Sequence, residues 1–326
     1  MCYNAESERI DYMKKITAFL IAVAILLSFS ACSEQKKTAL VIAGTDINSE
    51  IFTYYLDKVN HSPADYGLSQ NPSDSELKNA AINECKKYLA ANTGFSEKGL
   101  SLTSSQKVEI SQNVNNYWIR FENHYNKIGV SKQTLTKIFT SDAYKDALFS
   151  AEYDKGVNDT EAEAILQDYF YENYISFRSV CVYFTKPDST PMTQLEKTQL
   201  LSSLEALAAN PDADVDKFAQ AVQSAGYSLS DSALLKKGST TYPDGFYDKV
   251  SEQADNTVQV ITYDECVFVI WKENLKEKGE SLYRSYRSVC INDLYYEEYE
   301  TALNEYLDTL TVEEKSVVDK IISDNK

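Results

Sequence analysis

The chain has 326 residues, 43% of them hydrophobic and 25% charged, a globular composition long enough for about two domains of ~150 residues each. Its 49 acidic side chains against 32 basic ones leave a net charge of −17, a field that repels phosphate backbones and disfavours a nucleic-acid partner. The glycines never stand close enough to write G-x-G, and the G-x-x-x-x-G from Gly94 to Gly99 is followed by Leu100 where a lysine would be needed. A dinucleotide fingerprint and a P-loop are both excluded.

From Met13 the chain reads MKKITAFLIAVAILLSFSACS: two lysines, an apolar run, small residues and then Cys32. A basic n-region before a short h-region describes a secretory signal peptide over 1–31, with 13–31 as its working part and the residues before Met13 as an upstream mis-start. The apolar run 16–27 falls short of the about 20 residues that a spanning helix needs. The ending FSAC resembles a bacterial lipobox, with Phe29 where leucine is commonest. That resemblance implies that the Cys32 thiol receives a diacylglyceryl group and becomes the mature N-terminus, with 32–38 as a polar spacer. A conventional cleaved signal with an incidental cysteine is the alternative, and an uncleaved anchor a weaker one, because polar SEQKKT follows at once. Basic and acidic side chains balance within 1–31, so the remainder keeps the whole −17. An acidic body beside an anionic membrane needs a covalent tether, and the protein is expected outside the cytoplasm, anchored through Cys32 to the lipid bilayer.

Leu40-Val-Ile-Ala predicts a short strand and Gly44-Thr-Asp a turn, after which Asn48 or Ser49 caps an amphipathic helix through Val59. Further helices are predicted over 75–91, from Leu102 to Gly129 and from Ser131 towards Lys155. The Asp159-Thr-Glu-Ala-Glu cap opens a fifth, ending near Tyr174. The period then changes: Phe177-Arg-Ser-Val-Cys-Val-Tyr-Phe is β-branched and aromatic, a strand. A leucine-rich helix follows Pro191, then short helices over 215–224 and 244–250. A hairpin pairs 258–261 with 266–271 across Thr262-Tyr-Asp-Glu. From Glu280 a long helix carries Leu282, Tyr286, Val289, Tyr296, Tyr299, Leu303, Tyr306 and Leu310 in a stripe, and a last helix is predicted over 312–322. The order β-α-α-(β)-α-β-β describes a compact α+β module inserted into a mostly α chain. The expected domains are a helical body over 39–175, the α+β module over 176–278, and C-terminal helices over 279–326 that pack back on the body, since each alone exposes too much apolar face.

This layout resembles the PrsA/SurA-like extracytoplasmic foldases. VIAGTDINSEIFTYYL is similar to the strand, turn and helix that open SurA-type N-terminal domains. The module looks like a parvulin-type peptidyl-prolyl isomerase domain: FRSVCVYF stands where parvulins carry a strand reading like R-A-S-H-I-L-V, and DVDKFAQAV resembles their D-F-x-x-L-A helix. YPDGFYDKV resembles the segment whose phenylalanine lines the proline pocket, and ECVFVIWK the final strand. By this resemblance the site positions are Cys181, Cys266 (or Val267), Tyr242 and Phe246, an FKBP-like superfold is implied for the module, and clients would be unfolded or partly folded secreted polypeptides.

The departures are specific. The two strand histidines of an active parvulin fall on Cys181 and on Cys266 or Val267. The G-G-D-L-G turn is absent near 229–235, and no acidic residue or cysteine stands near 224–226. Both histidines of the chain, His61 and His124, lie outside the module. Prolyl isomerisation needs no nucleophile, only an apolar slot and polar groups that favour the twisted amide across a barrier of about 18–20 kcal/mol. A parvulin-shaped module with weak or no isomerase activity is therefore expected, within a membrane-anchored chaperone. An active isomerase is the first alternative, a solute-binding lipoprotein the second, and a purely structural envelope protein the third.

Other residues point to no chemistry. Cys85, Cys181, Cys266 and Cys290 form no C-x-x-C, so redox and zinc-ribbon readings fail. For Cys181 and Cys266, which the resemblance places on neighbouring strands, a disulfide stays open beside the preferred reading of two small core residues. His61 and His124 have no H-E-x-x-H or paired spacing and read as surface or capping residues. Asp212, Asp214 and Asp216 lack the glycine and distal glutamate of a calcium loop. The excess of tyrosine, 24 in all, is mostly structural, with a share that could line a client-binding cleft. No cofactor and no metal is expected.

Overall fold

The computed structural model describes residues 37–209 and 214–324. The expected signal peptide, Cys32 and Asp212 lie outside the described residues. The chain divides into two compact units, one made of 37–152 together with 298–324, the other of Tyr153–Glu297.

The first unit is organised on β1 (Thr38–Ile42). A two-residue turn at Ala43 and Gly44, both in the left-handed region at φ 47° and 81°, returns the chain antiparallel as β2 (Thr45–Asn48), with Ile42 opposite Thr45. Positive φ at both positions matches the right-handed twist of the flanking strands, which is why such a turn closes a tight hairpin. Asn48 caps α1 (Ser49–His61), its Oδ1 accepting from the Ile51 N–H at 3.0 Å. Helical spacing then puts Ile51, Phe52, Tyr55, Leu56 and Val59 into the core.

The helices α2 (Asp74–Glu97) and α3 (Ser104–Ile128) both begin with capping boxes, Ser73 with Glu76 and Thr103 with Gln106. In each, the cap and the third helical residue satisfy each other's orphan N–H groups. Gly129, left-handed at φ 73°, ends α3, and α4 (Lys132–Tyr153) follows.

The far end of the chain completes this unit. The segment expected as the start of a last helix is a strand, β7 (Val312–Glu314), paired antiparallel with β1 so that Leu40 faces Glu314 and Ile42 faces Val312. Without it β1 would present a row of unpaired N–H and C=O groups, and that demand outweighs helix propensity at Val312-Glu-Glu. The helix is confined to α10 (Val317–Asp324), whose Val318 and Ile321 join Leu40, Ile42, Phe52, Tyr55, Leu135 and Ile138 in one core.

The second unit holds α5 (Thr160–Asn173), then β3 (Tyr174–Tyr183), α6 (Gln194–Ala208), α7 (Val215–Ser224), β4 (Ala233–Lys236), α8 (Phe246–Glu252), β5 (Thr257–Thr262) and β6 (Cys266–Glu273). The first part of α9 (Glu280–Asp308) also belongs to it. Its four strands run antiparallel in the order β4-β3-β6-β5. The mostly helical chain with a small α+β module is thus the fold observed.

Val180, Val267, Val269 and Trp271 pack with Leu204, Phe218 and Val222 of α6 and α7 on one face of the sheet. Ile175, Phe177, Phe268 and Ile270 pack with Phe246 and Val250 of α8 on the other. Both faces of β6 are covered, which explains its unbroken apolar run from Cys266 to Trp271.

This unit is wider at both ends than the expected 176–278, because α5 and α9 pack together. Phe170 sits within 5.8 Å of the Tyr283 ring, and Arg287 bridges Glu163 and Asp154, both at 2.8 Å. The buried face of α9 accordingly carries Tyr283, Cys290 and Ile291, while Val289 and Tyr296 of the expected stripe are exposed. No described helix is long and apolar enough to cross a membrane.

One buried carboxylate ties the second sheet to its loops. Glu273 accepts from Ser176 Oγ and Lys278 Nζ at 2.6 Å each, from Arg178 Nε at 3.1 Å, and from Ser232 Oγ. Burial raises its pKa, but these four donors outweigh burial and hold it below its ordinary value. A lowered pKa means stability that is full above the unfolded-state value and lost as pH falls through the folded one. Glu273→Gln should cost about 1.5–3 kcal/mol at neutral pH. The gap in Tm between variant and native chain should hold above about pH 5 and narrow as the pH approaches ~3. Thermal unfolding across that range checks it, and a pH-independent gap would refute the clamp.

Candidate functional site

The positions that the parvulin resemblance picks out converge on the α8 face of the second sheet. In the register of β3 and β6, Cys181 lies opposite Phe268 and Tyr183 opposite Cys266. Alternation puts Cys266 on the same face as Cys181 and Val267 on the other, so Cys266 is the position that belongs to this face. The two cysteines occupy diagonal rather than directly opposed sites, and all of Cys85, Cys181, Cys266 and Cys290 are free thiols.

Burial, and Cys266 as neighbour and hydrogen-bond partner, push the Cys181 thiol up to about 11; burial likewise raises Cys266. The thiolate is the nucleophilic form of cysteine, and the raised pKa lowers its share at both positions. The thiols remain weak hydrogen-bonding groups at the edge of an aromatic floor.

That floor is layered. Tyr242 stacks on Phe246 at 4.4 Å and 21° between planes, and Phe246 rests against Phe268 at 5.1 Å and Phe177 at 5.2 Å. Phe246 is only 1% exposed; Tyr242 above it and the exposed Cys181 beside it are what a ligand would meet. Tyr263 flanks the floor, with Lys249 Nζ 4.4 Å from its ring centroid and its own hydroxyl buried without a protein partner. Burial, then the neighbouring cysteine, raises the phenol pKa of both Tyr242 (from Cys181) and Tyr263 (from Cys266). The site offers flat apolar area, two neutral phenols and two neutral thiols. The charge beside it is that of Lys249, held over the Tyr263 ring.

A second concavity lies in the first unit, between α3 and α4. It encloses about 580 Å³, with Leu102, Ile110, Val114 and Tyr144 as apolar walls and Lys107, Lys132 and Gln133 at the rim. Helical spacing supplies it from one face of each helix: Lys107, Ile110, Ser111, Val114 and Asn115 from α3, and Lys132, Gln133, Thr136 and Thr140 from α4. The apolar members of α3, Val108, Ile110, Val114, Tyr117, Trp118 and Phe121, were visible in the sequence as a stripe at helical spacing. That the stripe is incompletely covered was not, because coverage depends on where α4 lies.

Phe246→Ala should lower the stability of the second unit by about 3–5 kcal/mol, the cost of truncating a buried aromatic ring. Tyr242→Ala should cost far less. Equilibrium denaturation of the two variants separates a core ring from a ligand-facing one, and equal effects would contradict the layering.

No protein-family model matches the chain, and no curated protein matches it. Among solved structures it is similar to foldase protein PrsA from Lactococcus lactis, at 13% identity and TM-score 0.38, over 89% of this chain and 99% of that one. It is also similar to foldase protein PrsA from Streptococcus pneumoniae, at 11% identity and TM-score 0.33, over 86% and 90% of the two chains. A third likeness, at 12% identity and TM-score 0.27 over 85% and 99%, is to a Campylobacter jejuni structure described under the SurA-like chaperones PEB4 and Cj1289. Likeness of this degree assigns no function.

Proposed function

We propose that the chain is a membrane-anchored extracytoplasmic chaperone that holds partly folded secreted polypeptides, with a parvulin-like unit that is weak or inactive as a prolyl isomerase. The observation that carries this reading is the groove between α3 and α4. Its volume of about 580 Å³ lies in the range of ligand pockets of roughly 300–1,000 Å³, enough for a few apolar side chains of an extended segment. Apolar walls from Leu102, Ile110, Val114 and Tyr144 among polar and basic neighbours suit reversible burial of such segments without side-chain-specific contacts. The net charge of −17 favours basic or weakly charged clients over acidic ones.

The same reading accounts for the second unit. Acceleration of prolyl isomerisation requires groups that stabilise the twisted amide more than the planar one. The neutral thiols of Cys181 and Cys266 stand where the resemblance would put imidazoles. Tyr242 and the aromatic layer under it still present a surface for a proline ring, which supports binding with little turnover. The antiparallel pairing of both described sheets supports the chaperone reading over a solute-binding lipoprotein, whose βαβ units would give parallel strands.

The test is suppression of aggregation of an unfolded client, with a prolyl-peptide isomerisation assay alongside. Ser111→Glu with Thr136→Glu places two charges in the groove at exposed positions, away from the buried core. It should reduce suppression several-fold while Tm holds. Unchanged suppression would remove the groove from the function, and isomerisation at the rate of a competent parvulin would promote the enzyme reading.

Anchoring has its own check. Cys32→Ser should release the protein from the membrane fraction and remove the mass of the lipid. A variant still bound, with its mass altered only by the substitution, would end the lipoprotein reading.

A further inference from the structure

The two histidines of the chain lie far apart in sequence, and the fold brings them together. His61 is the last residue of α1 and His124 lies in the final turns of α3. Their ring centroids are 5.5 Å apart with planes at 85°. Asp57, one turn before His61 on the same face of α1, stands between them. Its Oδ2 lies 2.9 Å from His124 Nε2, and its Oδ1 lies 3.3 Å from His61 Nδ1. One ligand atom from each of the three residues lies within 4.8 Å of the others. The carboxylate is the sheltered member, at 15% side-chain exposure, and His61 the open one, at 64%.

We propose that Asp57, His61 and His124 form a binding site for a divalent transition-metal cation of the Zn²⁺ class, joining the end of α1 to α3. A tetrahedral ion with ligands at about 2.0–2.1 Å sets its ligand atoms roughly 3.3 Å apart. The Asp57 Oδ1–His61 Nδ1 separation of 3.3 Å is at that spacing, and the 2.9 Å hydrogen-bond distance between Oδ2 and His124 Nε2 has to open by a few tenths of an ångström. The rest of the closure falls on His61, the side chain most free to turn. Its Nδ1 also lies 2.9 Å from the Asp57 carbonyl oxygen; ligation through Nδ1 gives up that contact, whereas ligation through Nε2 keeps it as the orienting partner of the other ring nitrogen.

Two imidazoles with one carboxylate select Zn²⁺, Cu²⁺ or Ni²⁺ over Ca²⁺ and Mg²⁺, which take oxygen ligands. The surrounding −17 field draws the cation in. Three protein ligands leave a coordination position open to water or to a side chain from outside. The carboxylate surplus of the chain could bind cations loosely anywhere; the pair of imidazoles makes this place specific.

The experiment uses the full chain, purified without a histidine tag, with Zn²⁺ alone as the probe in a non-chelating buffer. Calorimetric titration should saturate at one equivalent, both imidazole spin systems should shift together by NMR, and Tm should rise. His61→Ala, at the exposed position and so expected to fold, should weaken binding at least tenfold. His124→Ala should do the same, and Cys181→Ser should leave binding unchanged. Ca²⁺ should leave both imidazoles unmoved. Imidazole signals that stay still at one equivalent of Zn²⁺, binding that survives loss of both histidines, or binding that follows Cys181 instead would each overturn the proposal.

Discussion

The first unit depends on a hydrogen-bonding obligation. β1 is a short apolar strand whose Ala39, Leu40 and Ile42 are fully buried, and a buried backbone must have its N–H and C=O groups paired. β2 supplies one edge within a two-residue turn; the other edge is met only by β7, from the far end of the chain. Two links reinforce this pairing: Lys78 with Glu314 at 2.9 Å, and Lys86 Nζ donating to the Leu307 carbonyl at 2.9 Å. Chain ends joined in one sheet make whatever lies between them an insertion. The α+β unit can therefore diverge at its own face without unfolding the helical one.

That freedom is visible in the chemistry of the second unit. Its scaffold is fully specified: β6 is buried on both faces, Glu273 gathers four donors, and Arg287 holds Glu163 and Asp154. The face that resemblance marks as functional carries neutral thiols and phenols over an aromatic stack, with Lys249 at its margin. A protein retaining the packing of such a site while its polar residues change keeps the apolar contact, which depends on shape. It loses differential stabilisation of a transition state, which depends on placed charge and hydrogen bonds. Binding and turnover separate for a physical reason.

Much of this was legible in the residues. Capping signals at Asn48 and Asp159 placed two helix starts within a residue or two, since caps are local hydrogen-bond chemistry. The order of the α+β elements followed from the change of period at Phe177. What was not legible depended on tertiary partners. Val312-Glu-Glu becomes a strand only because β1 needs an edge. The face of α9 turns to Tyr283 and Cys290 because the aromatic cluster at Phe170 and Tyr286 draws it there. The candidate positions Cys181, Cys266, Tyr242 and Phe246 do share one face, yet only their burial reveals that Phe246 lies beneath Tyr242. Asp57-x-x-x-His61 was a readable i,i+4 pair; its third member comes from another helix and leaves no mark in local spacing.

The helix that links these features is α3. Of its 25 residues Val114 and Tyr125 are fully buried, Ile110, Trp118, Phe121 and Ile128 pack half-buried against the same core, and Ile119 is 78% exposed and Val108 56%. The helix is thus held along one narrow apolar seam, and its remaining surface is left to solvent. Tyr125 sits beside His124, with ring centroids 5.6 Å apart, so the polar contact of His124 with Asp57 lies at the better-seated end. The other end carries Ile110 and Val114, where the groove lies against α4.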